Sequence, residues 1–79
     1  MSLEKFEELM LKADTMMKVE PAKGGYWRGY MRGLRRAHLG QKFGTTGEHQ
    51  LYLSLVNSRD DDRQELGRGY VEGLAALTP

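Results

Sequence analysis

A chain of 79 residues with 12 basic and 11 acidic side chains carries a net charge of +1 and contains no cysteine. That length makes one small domain, residues 1–79, which buries only about 60% of its unfolded surface and needs help from oligomerisation or a tightly packed helical core. Zero Cys excludes a disulfide framework and thiolate metal sites. No run of about 18 apolar residues offers a membrane span, and Met1-Ser2-Leu3-Glu4-Lys5 lacks the flank of a signal peptide, so the expected address is cytoplasmic.

Apolar periodicity marks four helical segments. Leu3, Phe6, Met10, Ala13 and Met17 recur in threes and fours, the spacing of one face of a helix from about Leu3 to Met17. Ser2 stands as its N-cap, and Glu4, Glu7 and Glu8 suit its positive end. Val19-Glu20-Pro21 ends it, because the residue before proline is pushed out of the helical region. A second helix runs from about Ala22 to Leu39 and stops at Gly40, a C-cap position. Gln41-Lys42-Phe43-Gly44 links to a third helix opened by Thr45-Thr46-Gly47-Glu48, an S/T-x-x-E capping box. This helix carries Leu51, Tyr52, Leu55 and Val56 on one side and ends at Asn57-Ser58. Asp60, Asp61 and Asp62 start a fourth helix reaching about Leu77. The expected fold is all-α, with four short helices arranged as two helical hairpins.

One seven-residue pattern, R-G-Y-x-x-G-L, occurs at 28–34 and again at 68–74. The same offset pairs Glu8 with Glu48 and Leu11 with Leu51, so each hairpin reads as one copy of an internal repeat. Glycine inside a helix costs about 1 kcal/mol relative to alanine, and Gly25, Gly29 and Gly33 together demand compensation. Gly25, Gly29, Gly33 and Ala37 form a small-residue stripe, with Tyr26, Tyr30 and Leu34 on one flank and Arg28, Arg32 and Arg36 on the other. Gly69 and Gly73 form its equivalent in the fourth helix. Small residues four apart let two backbones approach closely, so the second and fourth helices are expected to cross at these stripes about a pseudo-two-fold axis.

Charge is divided along the chain. Residues 1–20 sum to −2, residues 21–44 to +6 with no acid, and residues 45–79 to −3. A basic segment between acidic ones points to a partner with a negative surface. Its candidate contact residues are Arg28, Arg32, Arg35 and Arg36, helped by Lys23, His38 and Lys42, with Trp27 as an exposed aromatic anchor; arginine suits planar contact with phosphate or carboxylate. On this reading Arg32 and Arg36 serve binding and not folding. The plainer alternative is a solvated face partly neutralised by Glu65, Glu72 or the acidic first helix.

Catalytic and cofactor signatures are lacking. Gly67-Arg68-Gly69-Tyr70-Val71-Glu72-Gly73 has phosphate-loop spacing but no strand before it. His38 and His49, the only imidazoles, have no nucleophile or metal-ligand pattern around them; His38 is expected to cap the carbonyls ending the second helix, and His49 to sit in the first turn of the third. Asp60-Asp61-Asp62 lacks the alternation of a calcium loop. No cofactor and no metal are expected, and the chain reads as a non-enzyme, monomeric or homodimeric.

Gly29-Tyr30-Met31-Arg32-Gly33-Leu34-Arg35-Arg36-Ala37-His38-Leu39-Gly40, followed by Phe43-Gly44-Thr45 and Glu48-His49, resembles short helical proteins of bacteria, phages and mobile elements. Compact Cys-free chains of this size also resemble anti-CRISPR proteins, a class without a shared motif. That resemblance implies an inhibitor that binds a nucleic-acid-processing protein complex; the alternative is a small nucleic-acid-binding regulator using the same arginines on phosphates.

Overall fold

The computed structural model describes residues 3–77, except for the side chain of Gln41. It is all-α, with helices α1 (Leu3–Val19), α2 (Gly24–Leu39), α3 (Thr46–Ser54) and α4 (Asp61–Ala76). Three 3-10 turns, Pro21–Lys23, Gly40–Lys42 and Leu55–Asn57, join them, and no strand occurs among the described residues. Ser2, read as the N-cap of α1, lies outside the described residues.

The boundaries follow local chemistry. α1 runs two residues past the expected Met17, and the Glu20 amide still reaches the Met16 carbonyl at 2.8 Å before Pro21 intervenes. Pro21 then opens a 3-10 turn in place of the first residues assigned to α2, so that helix starts at Gly24 rather than Ala22. Gly40 ends α2 at φ 64°, its amide bonded to the Arg36 carbonyl, a left-handed value that glycine takes without a Cβ clash. Thr45 caps α3 by accepting from the Glu48 amide at 3.0 Å, and Asp60 caps α4 by accepting from the Arg63 amide at 3.1 Å.

α1 lies antiparallel on α2. Phe6, near its start, stacks on His38, near the end of α2, with ring centroids 4.3 Å apart and planes 13° from parallel. His38 therefore packs against an aromatic face, where a carbonyl cap was expected, because a wheel of α2 alone does not show where α1 arrives. Ala13 and Leu34 have no exposed surface, whereas Leu3, expected on the same face of α1, is 56% exposed. α3 and the turn after it lie antiparallel on α4: Tyr52 stacks on Tyr70 at 4.9 Å, and the Gln64 amide group donates to the Val56 carbonyl at 3.4 Å. Leu51, grouped with Tyr52 in the sequence, points outward and is 57% exposed. Gly67 seats the turn, because a Cβ there would come within 2.7 Å of Leu55 Cβ and the Val56 amide nitrogen.

The two hairpins meet through α2 and α4, which run parallel. A Cβ at Gly29 would overlap the Leu66 carbonyl oxygen and crowd the Tyr70 amide; one at Gly33 would overlap the Tyr70 carbonyl oxygen and crowd the Leu74 amide. On the other helix, Gly69 faces the Tyr26 carbonyl and Tyr30 amide, and Gly73 faces the Tyr30 carbonyl and Leu34 amide. Replacing every residue by its counterpart forty positions away converts one set of contacts into the other, the reciprocity of an isologous interface inside one chain. Gly25 belongs to the stripe only loosely, since its Cβ would make an ordinary 3.7 Å contact with the Asp62 carbonyl oxygen.

Two kinds of glycine substitution should therefore separate. Gly29→Ala and Gly69→Ala place a methyl group where a carbonyl already is, and each should lower stability by about 3 kcal/mol or more, at the upper end of overpacking penalties. Gly25→Ala should be neutral or stabilise by about 0.5–1 kcal/mol, the ordinary gain of alanine over glycine in a helix. Thermal unfolding of the three variants checks this, and equal melting temperatures would refute the close approach.

Candidate functional site

The basic segment of α2 divides into two parts. Arg32 pairs with Glu48 of α3, and its guanidinium lies 5.2 Å from the ring centres of both Phe43 and Tyr52. Arg36 donates to the Phe43 carbonyl at 3.1 Å. These two arginines thus tie the segment after α2 back onto α2, and the expectation that they have no part in folding is corrected. The partner of Arg32 is Glu48, not Glu65, Glu72 or α1: Glu65 pairs with Arg68 at 3.2 Å, and Glu72 accepts from the Tyr26 hydroxyl at 2.8 Å.

The other basic residues are differently placed. Arg28, Lys23 and Lys42 are exposed and Arg35 is half-buried. Among the described residues none of the four makes an ion pair. Trp27, expected as an exposed anchor, is half-buried; its ring meets Tyr26 edge-on at 4.9 Å and Tyr30 at 5.3 Å, and its indole nitrogen is enclosed without an acceptor.

Behind Arg32 lies a second polar cluster. His49 Nδ1 and the Tyr70 hydroxyl share a 2.6 Å hydrogen bond, and Tyr70 is only 2% exposed. Burial holds the Tyr70 hydroxyl above its ordinary pKa, although the Arg36 and Arg32 charges oppose the shift. His49 is thereby committed to a buried phenol. No group of three or more His, Cys, Asp or Glu that could hold a metal occurs among the described residues.

Two grooves flank the α2–α4 contact where both helices begin. One, of about 360 Å³, is walled by Tyr26 and Trp27 of α2 and by Asp62, Glu65, Arg68 and Glu72 of α4, with Lys23 at its edge. The other, of about 330 Å³, holds Arg28, Arg63, Asp62 and Leu66, with Pro21 and Ala22. Tyr26 is pushed up to about 12, first by burial and then by its hydrogen bond to Glu72 and that carboxylate's charge. Burial, with the Glu72 charge, also raises Tyr30. The sequence reading missed the grooves, Gly67 and the Tyr26–Glu72 bond. The usable signal was the forty-residue register, which sets Trp27 against Gly67 and Arg32 against Glu72 and so marks where the two halves differ.

Compared with protein-family models, curated proteins and solved structures, the chain matches none.

Arg32→Ala should cost about 1–3 kcal/mol, since it removes both ring contacts and leaves Glu48 unpaired. A double-mutant cycle with Glu48→Gln should give a coupling of only about 0.5–1 kcal/mol, because both side chains are one-third exposed. Denaturant titration measures both, and a loss below about 0.5 kcal/mol for Arg32→Ala would return Arg32 to the free basic surface.

Alkaline stability follows from the phenols. Their folded pKa values stand above the ordinary value of 10.0, so the folded state holds these protons more tightly than the unfolded chain. The resulting stability is complete below pH 10 and is lost as pH rises towards about 12. Urea midpoints should fall as pH rises above about 10, and Tyr26→Phe should shrink that fall. An unchanged fall in the variant would assign it to other groups.

Proposed function

We propose that this chain is a non-catalytic binding protein that engages an acidic surface of a partner protein through the uncommitted part of its basic segment, Arg28 and Arg35 with Lys23 and Lys42. One observation carries the reading: Arg28 and Arg35 stand seven residues apart on α2, about 10 Å along its axis, and neither has an ion-pair partner among the described residues, while Arg32 and Arg36 are held internally. Arg63, beside Arg28 in the second groove, extends the same positive strip. Unpaired arginines on a rigid helix suit planar bidentate contacts with carboxylates. The resemblance to small phage and mobile-element proteins of anti-CRISPR type makes a nucleic-acid-processing complex the partner class, and inhibition by occupying its surface the mode of action.

The runner-up is a nucleic-acid-binding regulator whose phosphate contacts use the same strip. Less favours it, since the other two segments of the chain carry net charges of −2 and −3 and would repel a polyanion.

The variant Arg28→Glu with Arg35→Glu should keep the melting temperature within a few degrees, since Arg28 is exposed and neither arginine has an ion pair to lose among the described residues, and lower partner affinity by about tenfold or more through charge reversal. The measurement is affinity capture from nuclease-treated bacterial lysate, with duplex DNA titrated in parallel at rising salt. Capture that survives nuclease and is lost in the variant supports the protein partner. Capture abolished by nuclease, or DNA affinity falling steeply with salt, moves the assignment to the regulator. Equal capture by both forms removes this strip from the function.

A further inference from the structure

The two grooves beside the α2–α4 contact occupy equivalent places, yet their charge differs. The second sets Arg28 and Arg63 against the single acid Asp62. The first sets Asp62, Glu65 and Glu72 against Lys23 and Arg68, and Arg68 is already occupied by Glu65 at 3.2 Å. Its walls differ as well: Tyr26 and Trp27 meet with planes at 84°, forming an aromatic corner. The Tyr26 hydroxyl donates to Glu72 at 2.8 Å and so fixes a carboxylate beside that corner.

We propose that this first groove receives a basic side chain, arginine or lysine, from a partner protein, with its cation against the Tyr26–Trp27 corner and paired with Glu72 and Asp62. Ring faces attract cations through their quadrupole, and the attraction grows as water is displaced. Glu72 keeps three of its four lone-pair sites after accepting from Tyr26, so it can also accept from an incoming guanidinium or ammonium group. The volume of about 360 Å³ accommodates one such side chain. The proposal extends protein binding to a second surface of opposite preference, and its test uses small cations, so its outcome is independent of the Arg28–Arg35 strip.

Trp27 is the only tryptophan in the chain, so its fluorescence reports on this groove directly. N-acetyl-arginine amide and N-acetyl-lysine amide should each give a saturable change, while sodium acetate and sodium chloride at matched ionic strength should not. Glu72→Gln keeps an acceptor for Tyr26 but removes the charge, and should weaken cation binding about tenfold; Asp62→Asn should weaken it less. Circular dichroism shows which variants fold, and Asp62→Asn decides if Glu72→Gln does not. A response to acetate in place of the cations, no saturable response to either amide, or unaltered affinity in every folded acidic variant overturns the assignment. Tetramethylammonium tests the source: binding of that ion without either amide would assign the groove to a free quaternary ammonium and overturn the partner side chain.

Discussion

The Tyr26 carbonyl and the Tyr30 amide lie against Gly69, and the Leu66 carbonyl and Tyr70 amide against Gly29, because no side chain stands between the two backbones. Four glycines make this approach, and helix propensity alone would penalise each by about 1 kcal/mol. What offsets the penalty is contact density: backbone against backbone brings many atom pairs to van der Waals distance, and glycine Cα–H groups directed at carbonyl oxygens add weak hydrogen bonds. Few large side chains are fully buried, Leu34 foremost among them. The glycine contact stands where a larger domain would place leucine and phenylalanine.

Parallel helices cannot be joined by a tight turn. The chain leaves α2 at its C-terminal end and must travel back roughly 24 Å, the length of a 16-residue helix, before α4 can start beside the beginning of α2. Residues 40–60 make that return, with α3 as its rigid part. The route passes the Arg32 and Arg36 side of α2, where Phe43, Glu48 and Tyr52 receive the two guanidinium groups. Half of the basic segment is thus consumed by a topological requirement, and the half that the return path leaves open, Arg28 and Arg35, remains for other work.

The glycine contact was legible because its signal is repeated: a penalised residue at spacing four, in two segments in the same register, has few explanations other than close packing. The capped start of α3 was legible for a similar reason, since Thr45 acts on an amide three residues away, and the acids at 60–62 marked where α4 begins although the cap by Asp60 itself came only from the structure. The fate of the arginines was not, because a helical wheel fixes directions within one helix and says nothing about what lies opposite. Arg36 carried a partial warning. Seven residues beyond Gly29, it projects only about 20° from that glycine at 100° per residue, close to the packed side, whereas Arg28 stands about 80° further round. His38 was misplaced for the same reason, its stacking partner Phe6 being supplied by α1.

A last consequence concerns the alignment of α2 with α4. Two parallel helices put like ends of their dipoles side by side, positive by positive, an arrangement that antiparallel neighbours avoid. α2 brings no acid to its first turn and no side-chain cap, while α4 brings Asp61 and Asp62 behind the capping Asp60. Because the Asp62 carbonyl oxygen faces Gly25 and the residue lines both grooves, that acidity also stands close to the start of α2. The run of three aspartates, more than one helix start requires, thus acts as a shared counter-charge: α4 supplies the anion for a neighbour that has none.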